Sequence, residues 1–326
     1  MIRAVRILLV LVVFCAASLT AAAESVKIRI GVLKFGTVTW EADVIRHHGL
    51  DEAEGIGLVF RELASKQATA VALLGGAVDM IVTDWFWVSR QRAAGADYTF
   101  VPYSTAVGAL VVPADSPIDS LADLRDRRLG IAGGPVDKSW LLLRALARKR
   151  HGIDLNTEVE KVFGAAPLLN EQIKIGRIDA VITFWPYAAR LEAAGMRRLI
   201  GVEEAGRELG IASEVPLLGY VFSEGWADAH RDEVLAFVRA SRKAKEILRA
   251  SDAEWERLKP LTRAEDEATL VALREAFRAG IPEQWGEAER RDARRMFEIL
   301  RELGGDKLVG AARELQAGTF WSGLSF

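Results

Sequence analysis

Four tryptophans lie beside hydroxyl side chains, where predicted strands end and helices begin, and these residues could bind a small molecule. The pairs are Thr39 with Trp40, Thr83 with Trp85, Ser139 with Trp140, and Thr183 with Trp185. The N-terminus of a helix presents free N–H groups and a partial positive charge, which suit a carboxylate, a sulfonate or a ring acceptor. Thr37 adds a further hydroxyl donor. This is the chemistry of binding a small ligand.

Two of these pairs belong to a repeated stretch. "VDMIVTDWFWVSRQRAAG" at residues 78–95 and "IDAVITFWPYAARLEAAG" at residues 178–195 align without a gap and share Asp, Thr, Trp, Arg, Ala, Ala and Gly. A second similarity, with one inserted residue, joins residues 29–40 to residues 128–140. The repeat predicts two related lobes whose strand ends face each other. Trp40 and Trp85 would enclose a ligand from one side, and Trp140 and Trp185 from the other.

A packing role is the alternative for each tryptophan, since a large apolar residue in the first turn can hold a helix against a sheet. Duplication of a single packing tryptophan would explain all four. Trp87 and Tyr187 lie two residues further into their helices and could belong to the core or to the cleft.

Asp84 differs between the copies, because Phe184 stands at the equivalent position. Its carboxylate could cap the helix that follows. It could also attract a cationic ligand, together with the neighbouring aromatic rings. Three lysines on other loops favour an anion instead, which leaves the charge of the ligand open: Lys34, Lys66 and Lys138.

No catalytic or metal-binding arrangement is as well defined. His47 and His48, with acids at positions 51, 52 and 54, could form a metal cluster, but adjacent histidines point to different faces of a helix. A solvated surface is therefore the favoured interpretation. No Gly-x-Ser-x-Gly motif occurs, and residues 130–135 are glycine-rich without the dinucleotide-binding fingerprint. We expect no enzyme activity, no cofactor and no metal.

The first 23 residues have the layout of a cleaved signal peptide. Arg3 and Arg6 precede an apolar run at residues 7–17, and small residues end at Ala23. The run is shorter than the roughly 20 residues that span a bilayer, which disfavours a retained anchor. Cys15 is the only cysteine, so the exported chain must be stabilised by core burial without disulfides. The formal net charge of −2 and the lack of a basic stripe give no sign of nucleic-acid binding.

Predicted strands alternate with helices of about ten residues up to residue 222, which indicates an α/β fold built of parallel units. The remaining chain has charged, amphipathic helical patterns and few strand signals. At 326 residues the chain is long enough for one large domain or two lobes.

Four segments resemble the periplasmic substrate-binding proteins of nitrate/sulfonate/taurine-type ABC transporters, a group related to thiamine-pyrimidine-precursor binders. They are "GLDEAEGIGLVF", "ASKQATAVALLGGAVDMIVTD", "SPIDSLADLRDRRLGIAGG" and "GRIDAVITFWPYAARLEAAG". The resemblance implies a type II periplasmic-binding-protein fold, with two α/β lobes joined by two crossover strands and closing on a ligand by hinge motion. Lobe 1 would comprise residues 24–108 and 219–326, and lobe 2 residues 109–218. The hinge would lie near residues 103–111 and 215–221.

The resemblance also implies a ligand site in the loops that follow the strands of each lobe. Taken with the residues above, the predicted ligand-binding set is Thr37, Thr39, Trp40, Gln67, Thr83, Asp84, Trp85, Lys138, Ser139, Trp140, Phe184, Trp185 and Tyr187. Family members often carry Trp, then an acid, then Pro where this chain has Phe184-Trp185-Pro186, so that a second aromatic residue replaces the acid. They also often place a hydroxyl residue in the turn at residues 133–135. These departures disfavour nitrate and simple sulfonates. They favour a heterocycle or an amine-bearing organic molecule.

The expected function is that of a monomeric periplasmic solute-binding protein, which delivers a small organic molecule to an ABC permease. One alternative is an exported enzyme on the same fold, similar to the pyrimidine-precursor synthases. Another is an accessory protein that docks on a periplasmic partner without transporting anything.

Overall fold

The computed structural model describes residues 26–326, and the predicted signal peptide with Cys15 lies outside them. Ten strands form two separate five-stranded sheets. The first sheet has the order β2-β1-β3-β10-β4 and comprises β1 (Lys27–Leu33), β2 (Gly57–Leu63), β3 (Met80–Asp84), β4 (Tyr98–Ser104) and β10 (Leu218–Ser223). The second has the order β7-β6-β8-β5-β9 and comprises β5 (Gly108–Val112), β6 (Arg128–Ala132), β7 (Glu160–Gly164), β8 (Ala180–Phe184) and β9 (Arg197–Gly201).

The two sheets have the same topology, as the sequence repeat predicts. In each, three parallel strands are followed by one antiparallel strand, which is β10 in the first sheet and β5 in the second. The chain crosses between the sheets twice, from β4 to β5 and from β9 to β10. Each antiparallel strand therefore comes directly after the other sheet along the chain.

Helices cover the sheets and make up most of the C-terminal third. In the first half of the chain they are α1 (Val38–His47), α2 (Leu50–Ala53), α3 (Lys66–Leu74), α4 (Trp85–Ala93), α5 (Lys138–His151), α6 (Leu155–Glu158) and a 3₁₀ turn at Leu121–Leu124. The others are α7 (Ala166–Lys174), α8 (Trp185–Ala193), α9 (Val202–Glu208), α10 (Glu224–Ala229), α11 (Arg231–Ala250), α12 (Asp252–Thr262), α13 (Glu267–Ala279) and α14 (Glu287–Val309). Within residues 26–326, no helix combines the length and apolar character that a membrane crossing requires.

The predicted α/β class is confirmed, and the helical character after residue 222 is observed. Residues 196–218, whose pattern predicted no element, contain the edge strand β9 and helix α9. The sequence of β9, Arg-Arg-Leu-Ile-Gly, hides the strand because its outer side chains are charged and exposed at the sheet edge.

One ion pair recurs in the same place in both sheets. Asp79 precedes β3 and receives hydrogen bonds from the backbone N–H, Nε and Nη2 of Arg29 on β1. Asp179 precedes β8 and receives the same three from Arg128 on β6. Each pair fixes the start of the third strand against the first. The aspartate that both copies of the repeat share therefore has a structural role.

The C-terminal helices pack on both halves of the molecule. Helix α13 packs on α8, whereas α14 packs on both α4 and α5. The largest apolar cluster therefore runs from Trp85 and Phe86 through Phe297 and Leu308 of α14 to Leu141 of α5. The two sheets share part of their core through these helices.

Candidate functional site

The carboxyl ends of the two sheets meet at an ion pair. Asp84 ends β3 of the first sheet, and its Oδ1 caps α4 by accepting a hydrogen bond of 3.1 Å from the Trp87 N–H. Its Oδ2 accepts a bond of 2.7 Å from Nζ of Lys138, which begins α5 beside the second sheet. The pair keeps some access to solvent, with 14% of the Asp84 side chain and 22% of the Lys138 side chain exposed. Asp84 therefore caps α4 with one carboxylate oxygen and pairs with Lys138 through the other.

At Asp84 and at Asp137, burial raises the pKa of the carboxyl group, whereas the nearby Lys138 charge lowers it. Burial raises the pKa of Asp84, but the Lys138 ammonium and its hydrogen bond outweigh that effect, and the pKa lies below its ordinary value. Asp137, which caps α5 through the N–H groups of Ser139 and Trp140, shows the opposite balance. Burial raises its pKa above the ordinary value despite the nearby Lys138.

Lys66 and Phe184 complete this part of the cleft. Lys66 begins α3 in the first half and lies with its Nζ 5.4 Å from the centre of the Phe184 ring, which ends β8 in the second. Its charge also lowers the pKa of Asp84 and opposes the rise in the pKa of Asp137. Two lysines, two carboxyl groups and an aromatic ring are thus grouped between the sheets, an arrangement that can bind charged or polar groups on an organic molecule.

Trp40 and Trp185 contact each other across the two halves. Their ring centres are 5.9 Å apart at an interplanar angle of 86°. Trp40 also packs edge-to-face on Trp255, and Trp185 on Phe277 of α13. Both indoles are more than 90% buried. They form an aromatic cluster that joins the halves.

Trp85 and Trp140 lie elsewhere, within the main apolar core. Trp85 is fully buried, stacks on Phe86 with ring centres 4.0 Å apart and packs edge-to-face on Phe320. Trp140 is 1% exposed and packs among leucines, with the Arg144 guanidinium over its ring. The packing alternative describes these two side chains in this conformation, and the structure does not bring them together with Trp40 and Trp185.

The other predicted residues differ in their exposure. Gln67 is exposed on α3, and Thr37, Thr83 and Tyr187 are half-buried. The Thr39 hydroxyl donates to the Gly36 carbonyl at 2.7 Å, which shapes the turn after β1. Ser139 is buried and donates its backbone N–H to Asp137.

Sequence reasoning missed Asp137 and Arg190. Asp137 had a detectable signal, because an acid directly before an amphipathic helix is typical of an N-cap. Arg190 on α8 donates to the carbonyls of Thr262 and Arg263 at the end of α12, at 2.5 and 3.0 Å, and so adds a polar contact between the halves. Nothing local in the sequence predicts a contact over more than seventy positions.

The histidine pair lies apart from these groups. His47 and His48 are exposed, and His48 Nε2 lies 3.3 Å from a Glu254 oxygen. Across residues 26–326, no group of three or more His, Cys, Asp or Glu side chains is arranged to hold a metal ion.

A family comparison covers most of this architecture. The NMT1/THI5-like family model matches residues 46–254, which include Asp84, Lys138 and Phe184. The chain belongs to the NMT1/THI5-like family. No curated protein matches it in sequence.

Solved structures extend the comparison to the whole fold. The periplasmic aliphatic sulphonate-binding protein SsuA from Escherichia coli is similar with a TM-score of 0.74 and 17% identity, over 92% of this chain and 93% of that one. The alkanesulfonate-binding protein SsuA from Xanthomonas axonopodis pv. citri, solved with MOPS bound, has a TM-score of 0.68 and 19% identity, over 92% and 99%. The two-lobed periplasmic-binding-protein fold implied by the sequence resemblance is confirmed.

The same fold also occurs in a protein with catalytic activity. The desulfurization enzyme DSZB is similar with a TM-score of 0.60 and 15% identity, over 86% of this chain and 92% of that one. Fold alone therefore does not separate a binding protein from an enzyme.

Proposed function

We propose that this chain is a periplasmic solute-binding protein, which captures a small organic molecule between its lobes and delivers it to an ABC permease. Residues 24–108 with 219–326 form one lobe, and residues 109–218 form the other. The chain works as a monomer, and the predicted signal peptide at residues 1–23 directs its export. Family membership and the similarity to sulfonate-binding proteins support this proposal.

The observation that carries the proposal is the ion pair between Asp84 and Lys138 at the carboxyl ends of the two sheets. Ligands of open α/β sheets bind beyond these strand ends. When the lobes separate, the ion pair breaks, and the Asp84 carboxylate and the Lys138 ammonium become free to bind complementary groups. A ligand with a donor for Asp84 and an acceptor for Lys138 would then draw the lobes together.

The proposed ligand is a partly apolar organic molecule such as a heterocycle or an amine-bearing compound. Phe184 offers an aromatic face, and Lys66 a second cation beside it. Gln67 and the hydroxyl groups of Thr37 and Thr83 supply further hydrogen bonds at the rim. The full set predicted from the sequence remains our proposal for the site, with Trp85 and Trp140 supporting it from within the core.

A thermal-shift screen of the purified protein tests this function. The panel contains sulfonates, pyrimidines, amines and organic acids, and a true ligand at 100 times its Kd stabilises the protein by about 2.7 kcal/mol. We expect Lys138→Met to abolish the shift. Lys174→Met is the matched control, because Lys174 pairs with Glu171 on the surface of α7. If every class fails to raise the Tm, the transport proposal is contradicted and the accessory role is favoured.

We propose further that the protein releases its ligand unchanged. The charged groups between the lobes are paired or serve as helix caps, which suits binding. Chromatography of the ligand after prolonged incubation with the protein tests this point. A product that forms with the wild type and not with Lys138→Met would establish an enzyme on this fold.

A further inference from the structure

A separate cavity lies inside the first lobe, away from the ion pair between the sheets. It has a volume of about 310 Å³ and lies between α11 and the edge strand β4. Its walls are about equally polar and apolar, and the apolar part includes Val101, Phe237, Val238 and Leu324. Ligand pockets in proteins range from about 300 to 1,000 Å³, so this cavity can hold a small organic molecule.

A buried polar network forms one side of the cavity. Lys245, 6% exposed, donates to Glu41 at 2.5 Å and to the Ser241 hydroxyl at 2.9 Å. Glu41 also accepts from the Tyr220 and Ser241 hydroxyls at 2.8 and 2.6 Å. The Lys245 ammonium lies 4.6 Å from the centre of the Tyr103 ring. The buried charges of this network are therefore compensated by one another.

The rim of the cavity carries an arginine that is available for a ligand. Of the arginines that line the cavity, Arg249 is already engaged, because it pairs with Glu283 at 3.5 Å. The Arg242 guanidinium lies over the Phe326 ring at 4.7 Å, and among residues 26–326 no carboxylate is within salt-bridge distance of it. An arginine stacked on an aromatic ring keeps its in-plane N–H donors free for a carboxylate, which it can bind through two hydrogen bonds.

We propose that this cavity binds a small organic carboxylate, with its apolar body between Phe237 and Val238 and its carboxylate on Arg242. The apolar part of the walls suits the hydrocarbon body of such a molecule, and Arg242 suits its charged end. This site is independent of the cleft between the lobes and does not rest on the proposed transport function.

Titration of the full chain with benzoate and with hexanoate, followed by calorimetry, tests the proposal. Arg242→Gln removes the charge and should weaken binding about tenfold or more, since hydrogen bonds to charged groups exceed neutral ones. Arg239→Gln is the matched control on the same helix, because Arg239 pairs with Glu54 outside the cavity. We expect it to bind like the wild type.

Val238→Phe provides a second test that does not depend on charge. The larger side chain fills the cavity, so binding should be lost while the unfolding midpoint in urea stays near that of the wild type. Absence of binding by both carboxylates overturns the proposal. So does binding that survives Val238→Phe and disappears in Lys138→Met, because the molecule would then occupy the cleft.

Discussion

The C-terminal ends of β3 and β8, which we call their exits, belong to the same repeated sequence, yet different parts of the chain pack against them. At the first exit, Trp85 is fully buried under Phe86 and Phe320. At the second, Trp185 joins Trp40 and Phe277 across the boundary between the halves. The difference arises because α14 packs over α4, whereas α13 packs over α8. The repeat determines where a tryptophan is placed, and the C-terminal helices determine what it contacts.

The residue before each tryptophan differs in a related way. Asp84 reaches across to Lys138, whereas Phe184 presents its ring to Lys66. Each exit thus contacts a lysine from the opposite half, one through charge and the other through an aromatic face. The duplicated sequence thus gives two unlike contacts, which, in the binding site that we propose, suit a ligand whose own two ends differ.

The largest effect should come from truncating the two exit tryptophans. Trp85→Ala should lower the free energy of unfolding by about 3–5 kcal/mol, because it leaves a cavity in the core. Trp185→Ala should cost less stability and weaken ligand binding more, since it lies at the boundary of the halves. Urea denaturation and ligand titration of both variants measure this. Equal stability losses with unchanged affinity would show that the exits do not differ in role.

The next effect concerns the two lysine contacts. In a double-mutant cycle, Asp84→Asn and Lys138→Met should couple by about 0.5–3 kcal/mol, as expected for a largely buried pair in contact. Lys66→Met and Phe184→Ala should couple by only about 0.5–1 kcal/mol, because Lys66 is exposed and cation–π pairs at such sites are weak. Urea unfolding of the wild type, the four single variants and the two double variants gives both values. A coupling at Phe184 as large as at Asp84 would contradict the assigned asymmetry.

The repeated ion pairs should respond to pH in the same direction but with unequal size. Burial raises the pKa of Asp79, and Arg29 overcompensates through hydrogen bonds and charge; at Asp179 the hydrogen bond from Arg128 is the largest effect. Both pKa values are therefore below the ordinary value of 3.8. The stability they contribute is complete above pH 4 and is lost as the pH falls through the depressed values.

Replacing each carboxylate should show that Asp79 contributes more to stability than Asp179. Asp79→Asn should cost about 1–2 kcal/mol at pH 7 and Asp179→Asn less than about 1 kcal/mol, because the Asp179 pair is more exposed and more strongly screened. Urea midpoints at pH 7 and pH 3 measure both effects. If the asparagine variants lost as much stability on acidification as the wild type, these pairs would not cause the pH dependence.

The smallest effect concerns the caps of α1 and α5, at the equivalent positions Thr37 and Asp137. Thr37 makes no side-chain capping bond, whereas Asp137 accepts two. Asp137→Ala should therefore cost about 1 kcal/mol and Thr37→Ala almost nothing. Asp137→Asn keeps an accepting oxygen without the charge.

The charge on Asp137 gives this comparison a pH dependence. Its pKa is raised in the folded state, so its contribution to stability is present at acidic pH and declines as the pH rises from 3.8 through the raised value. Asp137→Asn should remove that decline and match or exceed the wild type at pH 7. Urea midpoints between pH 4 and pH 7 measure it, and parallel curves for both proteins would argue against a raised pKa.

The sequence predicts the fold well where its signals are local. Buried strands, glycine stops and the repeat at residues 78–95 and 178–195 indicate the α/β class and the two sheets, since each depends on residues a few positions apart. Edge strand β9 was not predicted because it begins with two arginines, Arg197 and Arg198, which interrupt the apolar pattern. The packing partners of the tryptophans were not predicted for a different reason. Phe277 and Phe320 are far along the chain, and an amphipathic helix pattern does not specify what the helix will cover.

The candidate site shows the same division. Asp84 and Lys138 could be proposed from their places at strand ends, but their contact depends on how the two halves are oriented. Asp137 could have been found from its position before α5. Arg190 could not, because its partners are backbone carbonyls, and any residue can supply a carbonyl.

Helix α14 has a mechanical consequence for the proposed hinge. It stacks Phe297 on Phe86 of one half and brings Leu308 near Leu141 of the other, with Gly305 between at φ 55°, a conformation that favours glycine. If the proposed lobes separate, α14 must therefore detach from one of them or bend at Gly305. In the proposed two-lobed mechanism, α14 would be a third connection between the lobes besides the two crossovers, and it would limit how far they separate.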